Sequence, residues 1–280
     1  MKKIGLVLEG GAMRGIFTSA VLDMFLEENI NVDGIIGVSA GALFGVNYPS
    51  KQPGRGIRYN LKYLHNKNYL SWYSFFKTGN LLNKEFAFYE IPNKLDPLDN
   101  ETFKKSGIDF YIVITNVATG QAEYIKITDP LAQMEDFRAT GAMPFVSKMV
   151  EINGQEYLDG GIADSIPIKK CEEMGYDKII VVLTRPKGYR KKEYPELAIN
   201  LFYHQHPELA KAIIHRYKNY NESMDHIEKL EEEGKIFVIR PSEDLNIGRI
   251  EKDPKKLQAL YNLGIKDTKN NLNKLEQYLT

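Results

Sequence analysis

Val32-Asp33-Gly34-Ile35-Ile36-Gly37-Val38-Ser39-Ala40-Gly41 opens with a short apolar run, passes through a turn of small residues and delivers one serine. Val32–Gly37 reads as a buried strand, and the apolar spacing after Ala40 reads as a helix to about Tyr48. Between them, Gly37-Val38-Ser39-Ala40-Gly41 is a G-x-S-x-G motif at a strand-to-helix turn. A hydroxyl at such an elbow projects from the strand end. The flanking Gly37 and Gly41 leave room for the sharp turn, and the helix amides beyond it favour developing negative charge. Ser39 is therefore a candidate nucleophile.

Upstream, Lys3–Leu8 is an apolar run that ends in Glu9-Gly10-Gly11-Ala12-Met13-Arg14-Gly15. Amides of a glycine-rich turn after a strand can converge on one oxyanion. The turn lacks the G-K-[ST] ending of a P-loop, and its glycines do not fit G-x-G-x-x-G, which argues against a nucleotide phosphate. Downstream, Tyr157-Leu158-Asp159-Gly160-Gly161 places a carboxylate at a strand end. A serine nucleophile needs a group to take its proton, and Asp159 is the candidate base. The histidines are His65, His204, His206, His215 and His226. None sits at a strand-to-loop junction of the core, although a Ser–His–Asp hydrolase using one of them remains a rival. No histidine or cysteine spacing suits a metal, so no metal and no cofactor are expected.

The remaining chain extends the alternation of strands and helices. A helical pattern covers about Arg14 to Glu28. Asp109–Val117 and Gln121–Ile127 form one expected hairpin, and Met149–Leu158, turning at Asn153-Gly154, forms another. Helices are expected near Leu131–Thr140, at Ile168–Gly175 and Pro207–Glu233, and from Pro254 onward; strands at Lys178–Leu183 and Lys235–Arg240. Strand–helix–strand order at this pitch implies a parallel sheet with right-handed crossovers. The stretch from about Pro53 to Leu98 is rich in aromatic residues. They read as core packing or, alternatively, as an acyl-chain pocket or a membrane-facing cap over Ser39.

With 280 residues, 43% of them hydrophobic, the chain can bury one large α/β core. Lys plus Arg balance Asp plus Glu at 37 each, so no global field draws it to nucleic acid. The basic run Lys187, Arg190, Lys191, Lys192 reads as a solvated loop, with anionic lipid headgroups as the alternative contact. The single cysteine, Cys171, reads as a small buried hydrophobe. No stretch approaches the ~20 apolar residues of a spanning helix, so the expected location is cytoplasmic, with peripheral membrane contact as a variant.

Taken together, the three motifs resemble those of the patatin-like phospholipase family. Arg138-Ala139-Thr140-Gly141-Ala142-Met143-Pro144-Phe145 is similar to the segment that precedes the family's aspartate hairpin. The resemblance implies an α/β fold, a three-layer α/β/α with a mostly parallel central sheet. It implies Ser39 as nucleophile, Asp159 as base, and Gly10, Gly11, Ala12, Met13, Arg14 and Gly15 as the oxyanion loop. The implied substrate is a lipid or small ester. The alternative is a catalytically silent lipid-binding protein of the same fold. Ala12 replaces a glycine usual in the family, and its β-carbon requires a negative φ there. The resemblance covers roughly residues 3–185, giving a catalytic domain at 1–185 and a helical extension at 186–280 that carries one further strand. Ile247-Gly248-Arg249 and Lys252-Asp253-Pro254 resemble an extension found in some bacterial members, for which the sequence suggests no role.

Overall fold

The structure, a computed structural model, describes residues 2–280. Its strands are β1 (Ile4–Leu8), β2 (Gly34–Val38), β3 (Asp109–Asn116), β4 (Ala122–Ile127), β5 (Val150–Ile152), β6 (Gln155–Asp159), β7 (Lys178–Val182) and β8 (Ile236–Ile239). Its α-helices are α1 (Ile16–Glu27), α2 (Ala40–Gly45), α3 (Arg55–Tyr63), α4 (Trp72–Thr78), α5 (Asn100–Lys105), α6 (Met134–Thr140), α7 (Ile168–Glu173), α8 (Glu196–Phe202), α9 (Pro207–Glu232) and α10 (Pro254–Leu279). A π-helical stretch occupies Lys84–Leu95.

Strands β3, β2, β1, β7 and β8 lie side by side in that order and run parallel. A sheet covered on both faces needs apolar residues on both faces. Leu6, Leu8, Ile35, Ile180 and Val182 point to one side, packing with α1 and α10. Val7, Ile36, Val38, Ile179 and Val181 point to the other, packing with α7 and α9. The period of two in each strand produces the three layers. Helix α1 is buried almost throughout because the sheet lies on one side of it and α10 on the other. The two helices cross closely at Gly264, where a β-carbon would stand 2.7 Å from that of Ala20. Thus the extension contributes an edge strand and a covering helix on each face of one sheet.

One topological detail positions the site. On one edge, β3 pairs antiparallel with β4 over Phe110–Thr115. On its other edge, β2 runs parallel as far as Val38 opposite Val113. There β2 stops, and β6 takes over antiparallel, with Asp159 opposite Ile114. Strands β2 and β6 therefore approach head-on in one lane, and the residues that meet are those at their carboxyl ends.

Two helices are shorter than their patterns suggest. Helix α2 ends at Gly45, where Asn47 Nδ2 donates to the Phe44 carbonyl and a run of turns follows. Helix α6 begins at Met134 because Asp129 first caps a turn through the Ala132 amide.

Candidate functional site

Ser39 stands directly after β2 with φ 53° and ψ −122°. A non-glycine residue held at positive φ is strained, and the surroundings must fix it. They do so on two sides. The Ser39 amide donates to Thr140 Oγ1 (2.9 Å), and Thr140 Oγ1 in turn donates to the Val113 carbonyl (2.6 Å). Behind the elbow, a β-carbon on Gly41 would lie 2.4 Å from the Leu8 carbonyl oxygen, so only glycine lets α2 leave this close to β1.

Asp159 ends β6 in the same lane. Ser39 Oγ donates to Asp159 Oδ2 at 2.7 Å, and the Gly161 amide donates to Asp159 Oδ1 at 2.8 Å. Thr115 Oγ1 donates to the Asp159 carbonyl, and the Asp159 amide donates to the Ala142 carbonyl. Both side chains are buried. Burial raises the Asp159 pKa above the ordinary carboxylate value; the Arg216 cation, the Ser39 and Gly161 hydrogen bonds and Arg249 oppose it. A hydroxyl bonded to a buried, more basic carboxylate is an arrangement in which the carboxylate can take the hydroxyl proton.

The glycine-rich turn after β1 lies against this pair. A β-carbon on Gly10 would sit 3.1 Å from that of Ser39. Among the described residues, the Gly11 and Ala12 amides have no hydrogen-bond partner. The Met13 amide donates at 3.4 Å to the Arg249 carbonyl, and the Arg14 amide donates to the Gly11 carbonyl. Two of the expected oxyanion donors, Gly11 and Ala12, are therefore free, and Met13 is engaged. Gly15 packs against Ala40 and Phe44 instead of lining the cleft. Ala12 has φ +50°, against the expectation of a negative φ. A 3₁₀ turn begins at this residue, and its left-handed backbone is retained despite the β-carbon.

Two cavities share Ser39. One, of about 520 Å³ counting its mouth, is lined by apolar side chains such as Met13, Leu43, Phe44, Tyr59, Tyr69 and Leu82. Leu43, Tyr59, Tyr69 and Leu82 also line a further apolar cavity of about 540 Å³. The aromatic segment thus divides. Tyr59, Tyr63, Tyr69, Phe86 and Phe88 are buried, three of them (Tyr59, Tyr69 and Phe88) along these cavities, while Trp72, Tyr73 and Phe76 are exposed.

The other cavity, of about 640 Å³ counting its mouth, holds Ser39 and Asp159 together with Arg14, Arg185, Lys191, Arg216 and Arg249. Apart from Arg14, none of these cations was singled out from sequence as a site residue. The basic run is not a uniformly solvated loop. Lys187 and Lys192 are exposed, Arg190 pairs with Asp225 and Glu228, and Lys191 turns into the cleft, where its ammonium donates to Ser165 Oγ (3.2 Å) and stacks on Tyr220. Nothing in the sequence of Lys191-Lys192 marks which of the two lysines turns inward.

The extension's two motifs also acquire places. Arg249 brings its side chain to the cleft and its carbonyl to the glycine turn. Lys252 Nζ donates to the Leu64 and Leu70 carbonyls, Asp253 caps α10 through the Lys255 amide, and Pro254 opens that helix. No histidine lines either Ser39 cavity: His204 and His215 contact carbonyls of their own segments, and His226 contacts Glu172. Among the described residues, no group of three or more His, Cys, Asp or Glu side chains is placed to hold a metal ion, and no helix is long and apolar enough to cross a membrane.

Comparison with known proteins bears on the same region. Residues 206–280 match a domain of unknown function (DUF6363). The uncharacterized protein YjjU of Escherichia coli K12 is 29% identical over 251 residues, covering 87% of this chain and 70% of that protein. Lysophospholipase NTE1 of Cryptococcus neoformans is 28% identical over 201 residues, which make up 65% of this chain but 11% of the fungal protein. The crystal structure of VipD from Legionella pneumophila superposes with a TM-score of 0.50 at 14% identity, covering 98% of this chain and 67% of that one, a likeness of fold. Residues 6–171, which contain the glycine turn, the serine elbow and the aspartate hairpin, match the patatin-like phospholipase model, and the chain belongs to that family.

Proposed function

We propose that the protein is a serine acyl hydrolase that cleaves carboxylic esters of lipids through an acyl-enzyme on Ser39, with Asp159 as base. The observation that carries this reading is the 2.7 Å hydrogen bond from Ser39 Oγ to Asp159 Oδ2 where two strands meet. Ser39 Oγ attacks the ester carbonyl carbon while Asp159 accepts the hydroxyl proton. The Gly11 and Ala12 amides face the oxyanion of the tetrahedral intermediate. As the intermediate collapses, Asp159 returns the proton to the departing alcohol. Water then attacks the acyl-serine, giving its proton to Asp159, and Ser39 leaves as the free hydroxyl once it regains that proton. The apolar cavity beside Ser39, and the second one that shares Leu43, Tyr59, Tyr69 and Leu82 with it, suit the acyl chain.

Family membership and the lysophospholipase relatives support a lipid ester as substrate. The exposed Trp72 and Phe76 follow closely after Leu70, which lines the apolar cavity. They suit peripheral contact with the lipid surface that supplies the substrate. The direct test is labelling with a fluorophosphonate, which reacts with an activated serine. Label on Ser39 in the wild type and none in Ser39→Ala is the expected result; an unlabelled wild-type protein overturns the reading.

A further inference from the structure

Ser39 divides two cavities of opposite character. On one side the walls are mostly apolar, with Arg249 at the boundary lining both cavities. On the other, the cations of Arg14, Arg185, Lys191, Arg216 and Arg249 face the carboxylates of Glu9 and Asp159. Both carboxylates are already engaged. Glu9 accepts from the Thr184 amide, the Thr184 hydroxyl and the Tyr220 hydroxyl, and Asp159 accepts from Ser39 and Gly161.

The cations are poorly matched within the chain. The buried Nε atoms of Arg14, Arg185 and Arg216 have no hydrogen-bond partner among the described residues. Arg185 stacks on the Tyr189 ring and reaches Asp244 only at 3.6 Å, Arg249 donates to the Tyr194 hydroxyl, and Lys191 has only a hydroxyl and a ring. Burial, then the neighbouring Arg185, lower the Arg14 pKa to about 10, and burial with Arg216 pushes the Lys191 pKa well down. Five cations facing two carboxylates leave an excess of positive charge, which is destabilising unless a further anion joins it. Guanidinium forks bind phosphate oxygens by paired charge-assisted hydrogen bonds.

We propose that this basic cleft binds a phosphate group on the alcohol portion of the substrate, so that the preferred substrate is an acyl ester of a phosphomonoester alcohol such as glycerol phosphate. The assignment rests on the hydrolase reading and adds the substrate class. With the acyl chain in the apolar cavity and the ester carbonyl at Ser39, the departing alcohol faces the cations. A phosphocholine alcohol would bring a quaternary ammonium among like charges. A neutral alcohol would leave the excess positive charge unmatched.

The full-length protein tests this with lysophosphatidic acid, monoacylglycerol and lysophosphatidylcholine carrying the same acyl chain. The expected kcat/KM for lysophosphatidic acid exceeds the other two by about tenfold or more, the scale of one added charge-assisted hydrogen bond. In Arg249→Gln, and separately in Arg185→Gln, that ratio falls by about fivefold or more. Equal rates on all three lipids, or unchanged ratios in both variants, overturn the proposal. Calorimetry with glycerol phosphate, and with inorganic phosphate beside it, reads the cleft without turnover. Binding of glycerol phosphate that is tighter than that of inorganic phosphate and weakens in both variants upholds the assignment. Absent binding, or binding no tighter than that of inorganic phosphate, overturns it. If no ester is cleaved and Ser39 takes no fluorophosphonate, the hydrolase reading fails, and the glycerol phosphate titration alone then decides whether the cleft is an anion site.

Discussion

The hydroxyl of Ser39 and the carboxylate of Asp159 stand 2.7 Å apart because β2 and β6 end against each other along one edge of β3. The register of two strand pairings fixes their separation, and Thr140 and Gly161 hold the two groups in orientation. Ser39→Ala and Asp159→Asn should each lower esterase turnover by about a thousandfold or more, since members of such a unit are not additive. Asparagine keeps an acceptor for the Gly161 amide but cannot take a proton. Both variants should melt within a few degrees of wild type. Turnover within about tenfold of wild type in either one, with the fold intact, rejects the dyad.

The base is tuned by opposing influences. Burial raises the Asp159 pKa, and Arg216 is the foremost group holding it down. Only the ionised carboxylate can accept the serine proton, so kcat/KM should fall as pH drops through the Asp159 pKa. Arg216→Gln removes the opposing cation, and the acid limb should move to higher pH. Rates measured across the acidic range with a neutral ester check this. A limb that stays in place, or moves to lower pH, assigns the limb to another group.

Ala12 sits at φ +50° in the oxyanion turn, a conformation that costs an alanine about 1 kcal/mol relative to glycine. Ala12→Gly should therefore raise the melting temperature by about 2–4 °C. The Ala12 amide keeps its place in the glycine variant, so esterase activity should be retained. Ala12→Val should do the opposite, lowering stability and slowing fluorophosphonate labelling, because a branched side chain tolerates positive φ least. A glycine variant less stable than wild type contradicts the left-handed backbone.

Much of this site was readable from the sequence because its motifs are local. Gly37-Val38-Ser39-Ala40-Gly41 needs a strand before it and a helix after it, and both were visible as apolar periodicity. The cationic wall was not readable. Arg185 and Lys191 come from the loop between β7 and α8, Arg216 from α9 and Arg249 from the loop between β8 and α10, and only the pairing of β8 with β7 and the return of α9 over the sheet bring them together. A composition with equal numbers of opposite charges hides such a cluster. The φ of Ala12 was equally out of reach, since nothing in Gly10-Gly11-Ala12 declares which residue must take the left-handed turn.

Exposed aromatic residues give a separate test of the lipid surface. Trp72 is 54% exposed and Phe76 82% exposed, and they lie 6.5 Å apart by ring centroids on α4. Rings so placed are free to enter a bilayer interface, at little consequence for the core. Replacing Trp72 and Phe76 together by serine should weaken co-sedimentation with liposomes and leave hydrolysis of a water-soluble ester near wild type. Equal co-sedimentation of both proteins removes α4 from the membrane contact.

The crossing of α1 and α10 carries its own pH dependence. Asp23 on α1 is buried and accepts from the Tyr261 hydroxyl of α10 at 2.7 Å. Burial raises its pKa from the ordinary 3.8 to about 6, against the smaller opposing effects of Tyr261, the Gly54 amide and Arg58. Between those values the folded chain holds a proton that the unfolded chain releases. Asp23 therefore favours folding below about pH 4, and that contribution is lost as pH rises toward 6, over a span of about 3 kcal/mol at most. Asp23→Asn keeps an acceptor for Tyr261 and carries no charge. It should match wild type at about pH 4 and exceed its stability by about 1–3 kcal/mol at neutral pH. Urea unfolding at a series of pH values measures the difference. A gap between the two proteins that does not change with pH would mean that Asp23 titrates in the folded chain as it does in the unfolded one.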